Sequence, residues 1–127
     1  MSTETKPVVL VVDDTPLNLQ VATGVLRAHY QALAATDGEK ALTVLGKRPD
    51  VNLILLDIMM PGLDGYETCR RIKANAATAH IPVIFLSALS AEDDRRMAVE
   101  AGGVDFINKP FDPERLLATV QKHLAAA

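Results

Sequence analysis

Several features are scarce in this 127-residue sequence, and each shortage removes a class of function. A single cysteine, Cys69, excludes an internal disulfide. The three histidines, His29, His80 and His123, stand too far apart to show the ligand spacing of a zinc site. The longest wholly apolar stretches are strand-sized, far short of the roughly 20 residues that cross a bilayer. Met1 to Lys6 is too polar for a signal peptide, so no membrane partner is expected and the cytoplasm is the expected compartment. Thirteen basic against sixteen acidic residues leave a net charge of -3, which supplies no positive field to gather nucleic acid. No low-complexity or strongly charged run points to disorder.

What is present is an ordinary globular composition, 49% hydrophobic and 23% charged, in a chain of single-domain length. Short β-rich runs alternate with amphipathic segments, the rhythm of βαβ units around a parallel sheet. The expected strands are Val8 to Val12, Gln31 to Ala35, Leu53 to Leu56, Val83 to Leu86 and Val104 to Ile107. Three are nearly all apolar, as strands covered on both faces must be, whereas Gln31 to Ala35 reads as an edge. Helix starts are signalled by Thr15 before Pro16, Asp37 before Gly38, Ser90 with Asp93 three residues on, and Asp112 before Pro113. Leu17, Val21 and Val25 share one face of the first helix, and Leu116, Leu117, Val120 and Leu124 one face of the last; both faces are expected to cover the sheet. Gly102 and Gly103 suit the end of the fourth helix.

Ligands of such doubly wound sheets sit at the carboxyl ends of the strands. Asp13 and Asp14 follow the first strand, Asp57 ends the third, Ser87 follows the fourth and Lys109 the fifth. Any one of these residues has a commonplace explanation as a helix cap, a turn residue or a solvated charge. Three carboxylates, a hydroxyl and an ammonium at the same edge make a set that chance does not readily supply.

The segments Val11-Val12-Asp13-Asp14, Leu55-Leu56-Asp57-Ile58-Met59-Met60-Pro61-Gly62, Asp64-Gly65, Leu86-Ser87-Ala88 and Lys109-Pro110 resemble the response-regulator receiver domains of two-component signalling, the chemotaxis regulators among them. The resemblance runs from about Val8 to Leu124, so the whole chain, 1–127, is expected to be one receiver domain. It implies a flavodoxin-like (βα)5 α/β fold, doubly wound, with five parallel strands in the order 2-1-3-4-5. It further implies that Asp57 accepts a phosphoryl group from the phosphohistidine of a sensor histidine kinase or a histidine phosphotransfer protein. Asp14, Asp57 and the main-chain carbonyl of Met59 are expected to touch a metal ion, with Asp13 acting partly through water. Lys109, Ser87 and the backbone N–H groups of Met59 and Ala88 are expected to stabilise the phosphoryl oxygens. Phe106, which reads equally as ordinary core, is expected by the resemblance to turn inward as the switch is thrown, shifting the surface of the fourth helix, fifth strand and fifth helix toward a downstream protein or a covalently linked output domain. Homodimerisation through that face is common in the family. The resemblance also implies a cis peptide bond between Lys109 and Pro110.

The chemistry supports a metal independently. Gathered carboxylates repel by about 4 kcal/mol per pair at an effective dielectric of 20, and Asp13, Asp14, Asp57 and Lys109 together carry a formal charge of -2. A divalent cation cancels it, and an all-oxygen donor set selects Mg2+, with Mn2+ able to substitute. Met59 and Leu89 are apolar where many receivers place polar groups beside the phosphoryl group, which suggests slow loss of that group. Cys69 is expected to pack near Ile72 as a small hydrophobe.

Three other functions are weaker. A turnover phosphatase of the haloacid dehalogenase type usually carries a second aspartate two residues beyond its nucleophile, where this chain has Met59, so no turnover enzyme is expected. A nucleotide- or flavin-binding module needs a phosphate-cradling loop after the first strand, and Asp13-Asp14-Thr15-Pro16 has no glycine. A constitutive interaction module would normally have lost one of the five strand-end residues, and all five are here.

Overall fold

The computed structural model describes residues 6–87 and 92–125, with the side chains of 92–95 and 125 left out of the description. The elements alternate without exception: β1 (Val8–Val12), α1 (Pro16–Leu26), β2 (Gln31–Ala35), α2 (Gly38–Lys47), β3 (Leu53–Asp57), α3 (Gly65–Ala74), β4 (Val83–Ser87), α4 (Glu92–Ala101), β5 (Asp105–Asn108) and α5 (Pro113–Ala125). All pairings are parallel and the strand order is β2-β1-β3-β4-β5, the order expected from the resemblance. The fifth strand starts at Asp105 rather than Val104, whose side chain is exposed. Among the described residues no helix is long and apolar enough to cross a membrane.

Because side chains alternate across a strand, the apolar runs of β1, β3 and β4 feed two cores at once. Val8, Leu10, Val12, Ile54, Leu56, Val83 and Phe85 face one side, where Ala41 and Leu45 of α2, Cys69 and Ile72 of α3, and Ala98 and Ala101 of α4 cover them. Val9, Val11, Leu53, Leu55, Ile84 and Leu86 face the other, covered by Leu19, Ala22 and Leu26 of α1 and by Leu116 and Val120 of α5. Every residue of β1, β3 and β4 is buried, whereas the edge strand β2 is largely open. Full burial of aliphatic side chains such as Leu26, Leu55 and Leu116 contributes about 1.5–3 kcal/mol each.

The first helix corrects the expectation. Leu17 and Val21 lie on its outer face, 65% and 38% exposed, and of the three residues expected to cover the sheet only Val25 packs against the core. The buried stripe is Leu19, Ala22, Thr23 and Leu26. Thr23 can be buried because its hydroxyl donates to the Leu19 carbonyl at 2.7 Å, so no polar group is left unpaired. The helix is apolar on both sides, and spacing alone does not tell which side turns inward.

The other helix ends follow the sequence closely. Asp37 caps α2 by accepting from the Lys40 N–H at 2.8 Å, and Asp64 caps α3 by accepting from Glu67 at 2.9 Å. Asp112 accepts from the Glu114 N–H at the start of α5. Gly102 ends α4 with φ +105°, a conformation that favours glycine. The expected start of that helix at Ser90 lies outside the described residues.

Glycines that permit close packing are separable from those that merely occupy helix surface. A Cβ on Gly103 would sit 2.5 Å from the buried Phe85 ring, whereas one on Gly24 in α1 would meet nothing within 4 Å. Gly103→Ala is therefore expected to lower the free energy of unfolding by about 1–3 kcal/mol. Gly24→Ala should raise it by about 0.5–1 kcal/mol by favouring the helix. Urea unfolding of the two variants measures both, and equal effects would contradict this assignment of contacts.

Candidate functional site

The backbone ladder runs one residue past several strand ends and fixes the groups found there. The Asp13 N–H donates to the Ala35 carbonyl at 3.1 Å, Ile58 to Leu86 at 3.1 Å, and Lys109 to Ser87 at 2.7 Å. Asp13, Asp57, Ser87 and Lys109 are thus held on four neighbouring strands, and Asp14 follows Asp13. The Lys109–Pro110 peptide bond is cis, in agreement with the expectation.

Lys109 is the hub of the arrangement. Its ammonium lies 2.7 Å from Asp13 Oδ2 and 3.1 Å from Asp57 Oδ1, with both carboxylates almost wholly buried. Asp13 Oδ2 has no well-directed hydrogen bond, so the short Lys109 contact is an ion pair held off the hydrogen-bonding direction. The other oxygen of Asp13 accepts from the Thr15 N–H at 2.9 Å, which ties the carboxylate to the start of α1. Oxygens of Asp13, Asp14 and Asp57 come within 4.8 Å of one another, and Asp14, unlike the other two, is exposed. Charge at that spacing costs about 3–4 kcal/mol per pair at an effective dielectric of 20.

The protonation equilibria record the crowding. Burial, and then the charge of Asp13, push the Asp57 carboxyl up to about 6, although Lys109 and the Met59 N–H oppose the shift. Burial pulls the Lys109 ammonium down, but its two carboxylate neighbours more than offset this and its pKa is raised. One ammonium serving two buried carboxylates leaves negative charge in excess. Three oxygen donors with that excess fit a hard divalent cation.

Close backbone packing also positions the site. The Gly65 N–H donates to the Ile58 carbonyl at 2.9 Å, and a Cβ on Gly65 would sit 2.3 Å from the carbonyl oxygen of Asp57 itself. Helix α3 therefore starts directly against the backbone of the central aspartate. The Asp64-Gly65 pair was visible in the sequence, but this role of Gly65 was not.

The remaining predicted residues fall as follows. Ser87 is fully buried at the end of β4, in register with Asn108 of β5 and one residue past Leu86, the partner of Asp57. Phe106, half-buried against the core, lines a cleft of about 360 Å3 with Val99 and Arg115. The Met59 N–H donates to Asp57 Oδ1 at 3.3 Å, and its side chain is 65% exposed. Ala88 and Leu89 lie outside the described residues. A polar pair not foreseen from the sequence, His123 Nε2 with Asp105 Oδ2 at 2.7 Å, ties α5 to β5.

Comparison with known proteins places these features. Residues 9–121 match the family model described as the response regulator receiver domain. Protein PilH of Pseudomonas aeruginosa is 36% identical over 119 residues, which are 92% of this chain and 97% of PilH. Response regulator PleD of Caulobacter vibrioides is 42% identical over 115 residues, 89% of this chain. A probable cyclic di-GMP phosphodiesterase of Vibrio cholerae is 41% identical over 91% of the chain. The chain spans about a quarter of the length of these last two relatives, 25% and 26%. Among solved structures, the Vibrio cholerae chemotaxis protein CheY4 superimposes with a TM-score of 0.89 at 28% identity, covering 93% of this chain and 98% of CheY4.

The raised Asp57 carboxyl has a consequence for stability. Between the ordinary carboxylate pKa near 4 and about 6, the unfolded chain has lost this proton while the folded chain keeps it. Stability therefore falls as pH rises through that window, and a rise of this size corresponds to about 3 kcal/mol. In chelator, wild type is expected to lose about this much relative to Asp57→Asn between pH 4 and pH 7. Denaturant unfolding at the two pH values checks it; a difference between the proteins that does not change with pH would sink the prediction.

Proposed function

As the chain belongs to the response-regulator receiver family, we propose that it is a phosphorylation-driven signalling switch in which Asp57 is the acceptor, fed by the phosphohistidine of a partner kinase or phosphotransfer protein. The observation that carries this reading is the Lys109 ammonium bridging the buried carboxylates of Asp13 and Asp57, with Asp14 completing an acidic cluster. No turnover of an external substrate is part of the reading, and the cytoplasm is the compartment proposed.

Asp57 acts as the nucleophile, through a carboxylate oxygen held at the end of a fully buried central strand. Phosphoryl transfer needs positioning and charge stabilisation more than covalent help from the protein. Lys109 already lies against the acceptor and follows the charge as it moves onto the phosphoryl oxygens, releasing part of its pairing with Asp57. Asp13 keeps hold of the ammonium during that exchange. Mg2+, or Mn2+ in its place, would be held by Asp14, Asp57 and the Met59 carbonyl, with Asp13 partly through water, and supplies positive charge to the reacting phosphoryl group. The Ser87 hydroxyl and the N–H groups of Met59 and Ala88 supply further donors.

After transfer, Ser87 and Phe106 carry the change outward. Ser87 adjoins β5 in register, and Phe106 on β5 has the cleft beneath Val99 beside it. The face of α4, β5 and α5 is the surface proposed to meet a downstream protein, a linked output domain or a second copy. The exposed Leu17 and Val21 are one turn apart on α1, which begins two residues after Asp14. We assign this exposed apolar stripe to docking of the protein that carries the phosphohistidine. Met59, whose N–H bonds to the Asp57 carboxylate, puts an apolar side chain beside the acceptor and slows loss of the phosphoryl group.

Incubation with magnesium and acetyl phosphate is expected to add the mass of one phosphoryl group to wild type and none to Asp57→Asn. A wild type that never gains it defeats the reading. Leu17→Ser with Val21→Ser should slow transfer from a cognate phosphorylated kinase about tenfold or more, as loss of about 1.4 kcal/mol of docking energy implies. The rate with acetyl phosphate should stay as in wild type; an equal loss with both donors would place the stripe in the chemistry rather than in docking.

A further inference from the structure

Three of the four methionines, Met59, Met60 and Met97, line one open cleft of about 610 Å3 between the loop after β3 and helix α4. Met60 is buried, whereas Met59 and Met97 present their side chains to solvent. Met59 is the nearer to the chemistry, because its main-chain N–H bonds to the Asp57 carboxylate. The one cysteine offers no competing target: Cys69 is fully buried, and burial pushes its thiol up to about 11. A mild oxidant in solution therefore meets thioethers before it meets the thiol, and one of them stands at the rim of the phosphorylation site.

We propose that Met59 is a redox-modification site whose oxidation to the sulfoxide by a peroxide shortens the life of the phosphoryl group on Asp57. The inference rests on the reading of Asp57 as acceptor and of Met59 as its apolar flank. In the modifying step the sulfur attacks the peroxide O–O bond, one oxygen atom passes to sulfur, and the other leaves as water when hydrogen peroxide is the oxidant. Sulfur is oxidised by two electrons and the peroxide is reduced by two. The product replaces a weak acceptor with a strongly polar S=O group on the same flexible side chain. Hydrolysis of an acyl phosphate requires a water in line with the bond to the leaving carboxylate. The thioether sheds water from that rim, whereas the sulfoxide oxygen holds it there by accepting a hydrogen bond. Methionine sulfoxide reductases restore the thioether, so the change is reversible.

The test follows phosphoryl loss by intact mass after acetyl phosphate is removed, with and without mild hydrogen peroxide, and locates sulfoxides by peptide mapping. Peroxide is expected to shorten the half-life several-fold in wild type and in Met97→Leu, and reductase treatment to reverse the effect. Met59→Leu should show the same half-life with peroxide as without it. The proposal is overturned if Met59 is fully oxidised and decay is unchanged, or if peroxide accelerates Met59→Leu as much as wild type. A chain that gains no phosphoryl group overturns the acceptor reading and this one with it. If Met59→Asn speeds decay and the sulfoxide does not, the flank reading stands and the redox proposal alone falls.

Discussion

Excess negative charge at the carboxyl edge of the sheet is the constraint on which the rest of the molecule turns. Asp13 and Asp57 are buried, so water cannot screen them, and a single ammonium stands between them. Such an arrangement costs stability, and it persists because the scaffold holding it is stiff. The strands that carry Asp13, Asp57 and Ser87 are buried along their whole length, packed on both faces and bonded on both edges. A less rigid frame would relax by letting the carboxylates drift apart into water. What the fold stores at this edge is an unmet demand for positive charge, and a receiver site uses that demand to gather a cation and then to exchange charge with an incoming phosphoryl group.

Much of this is written plainly in the chain. Continuous apolar runs reveal strands covered on both faces, and aspartates before glycine or proline mark the starts of α2 and α5. The chemical groups could be assembled from the sequence because doubly wound topology brings all strand ends to one edge. Other features depend on three-dimensional choices that periodicity does not encode. Leu17 and Val21 share a face with Val25, but α1 is also apolar through Leu19, Ala22 and Leu26, and the packing of α1 beside α5 decides between the two sides. Thr23, a polar residue in the buried stripe, obscures the pattern further because its hydroxyl is satisfied within its own helix. The part played by Gly65 depends on how closely α3 approaches the backbone of Asp57, and nothing local in the sequence reports such a distance.

The two cores are unequal in what they can transmit. On the side of α1 and α5, fully buried aliphatic residues tie the helices to the centre of the sheet, with Leu116 and Val120 beneath α5. On the side of α4, the described helix contributes two alanines to the core and leaves Met97 and Val99 exposed. Small side chains make fewer dispersion contacts, so α4 is held less firmly than the helices across the sheet. The pair between Asp105 and His123 compensates at β5 by fastening that edge strand to α5 rather than to α4.

Lys109 follows an edge strand, yet its charge is spent on β3 and β1, two and three strands away in the sheet. The chain therefore carries a lever whose short arm lies in the acidic cluster and whose long arm is the outer border of the molecule. Levers act in both directions. Any protein that grips the border more tightly when the site is phosphorylated must, by thermodynamic reciprocity, make phosphorylation more favourable by the same factor. A target bound at β5 is then no passive recipient of the signal: its concentration becomes one of the inputs that set how much of this receiver is switched on.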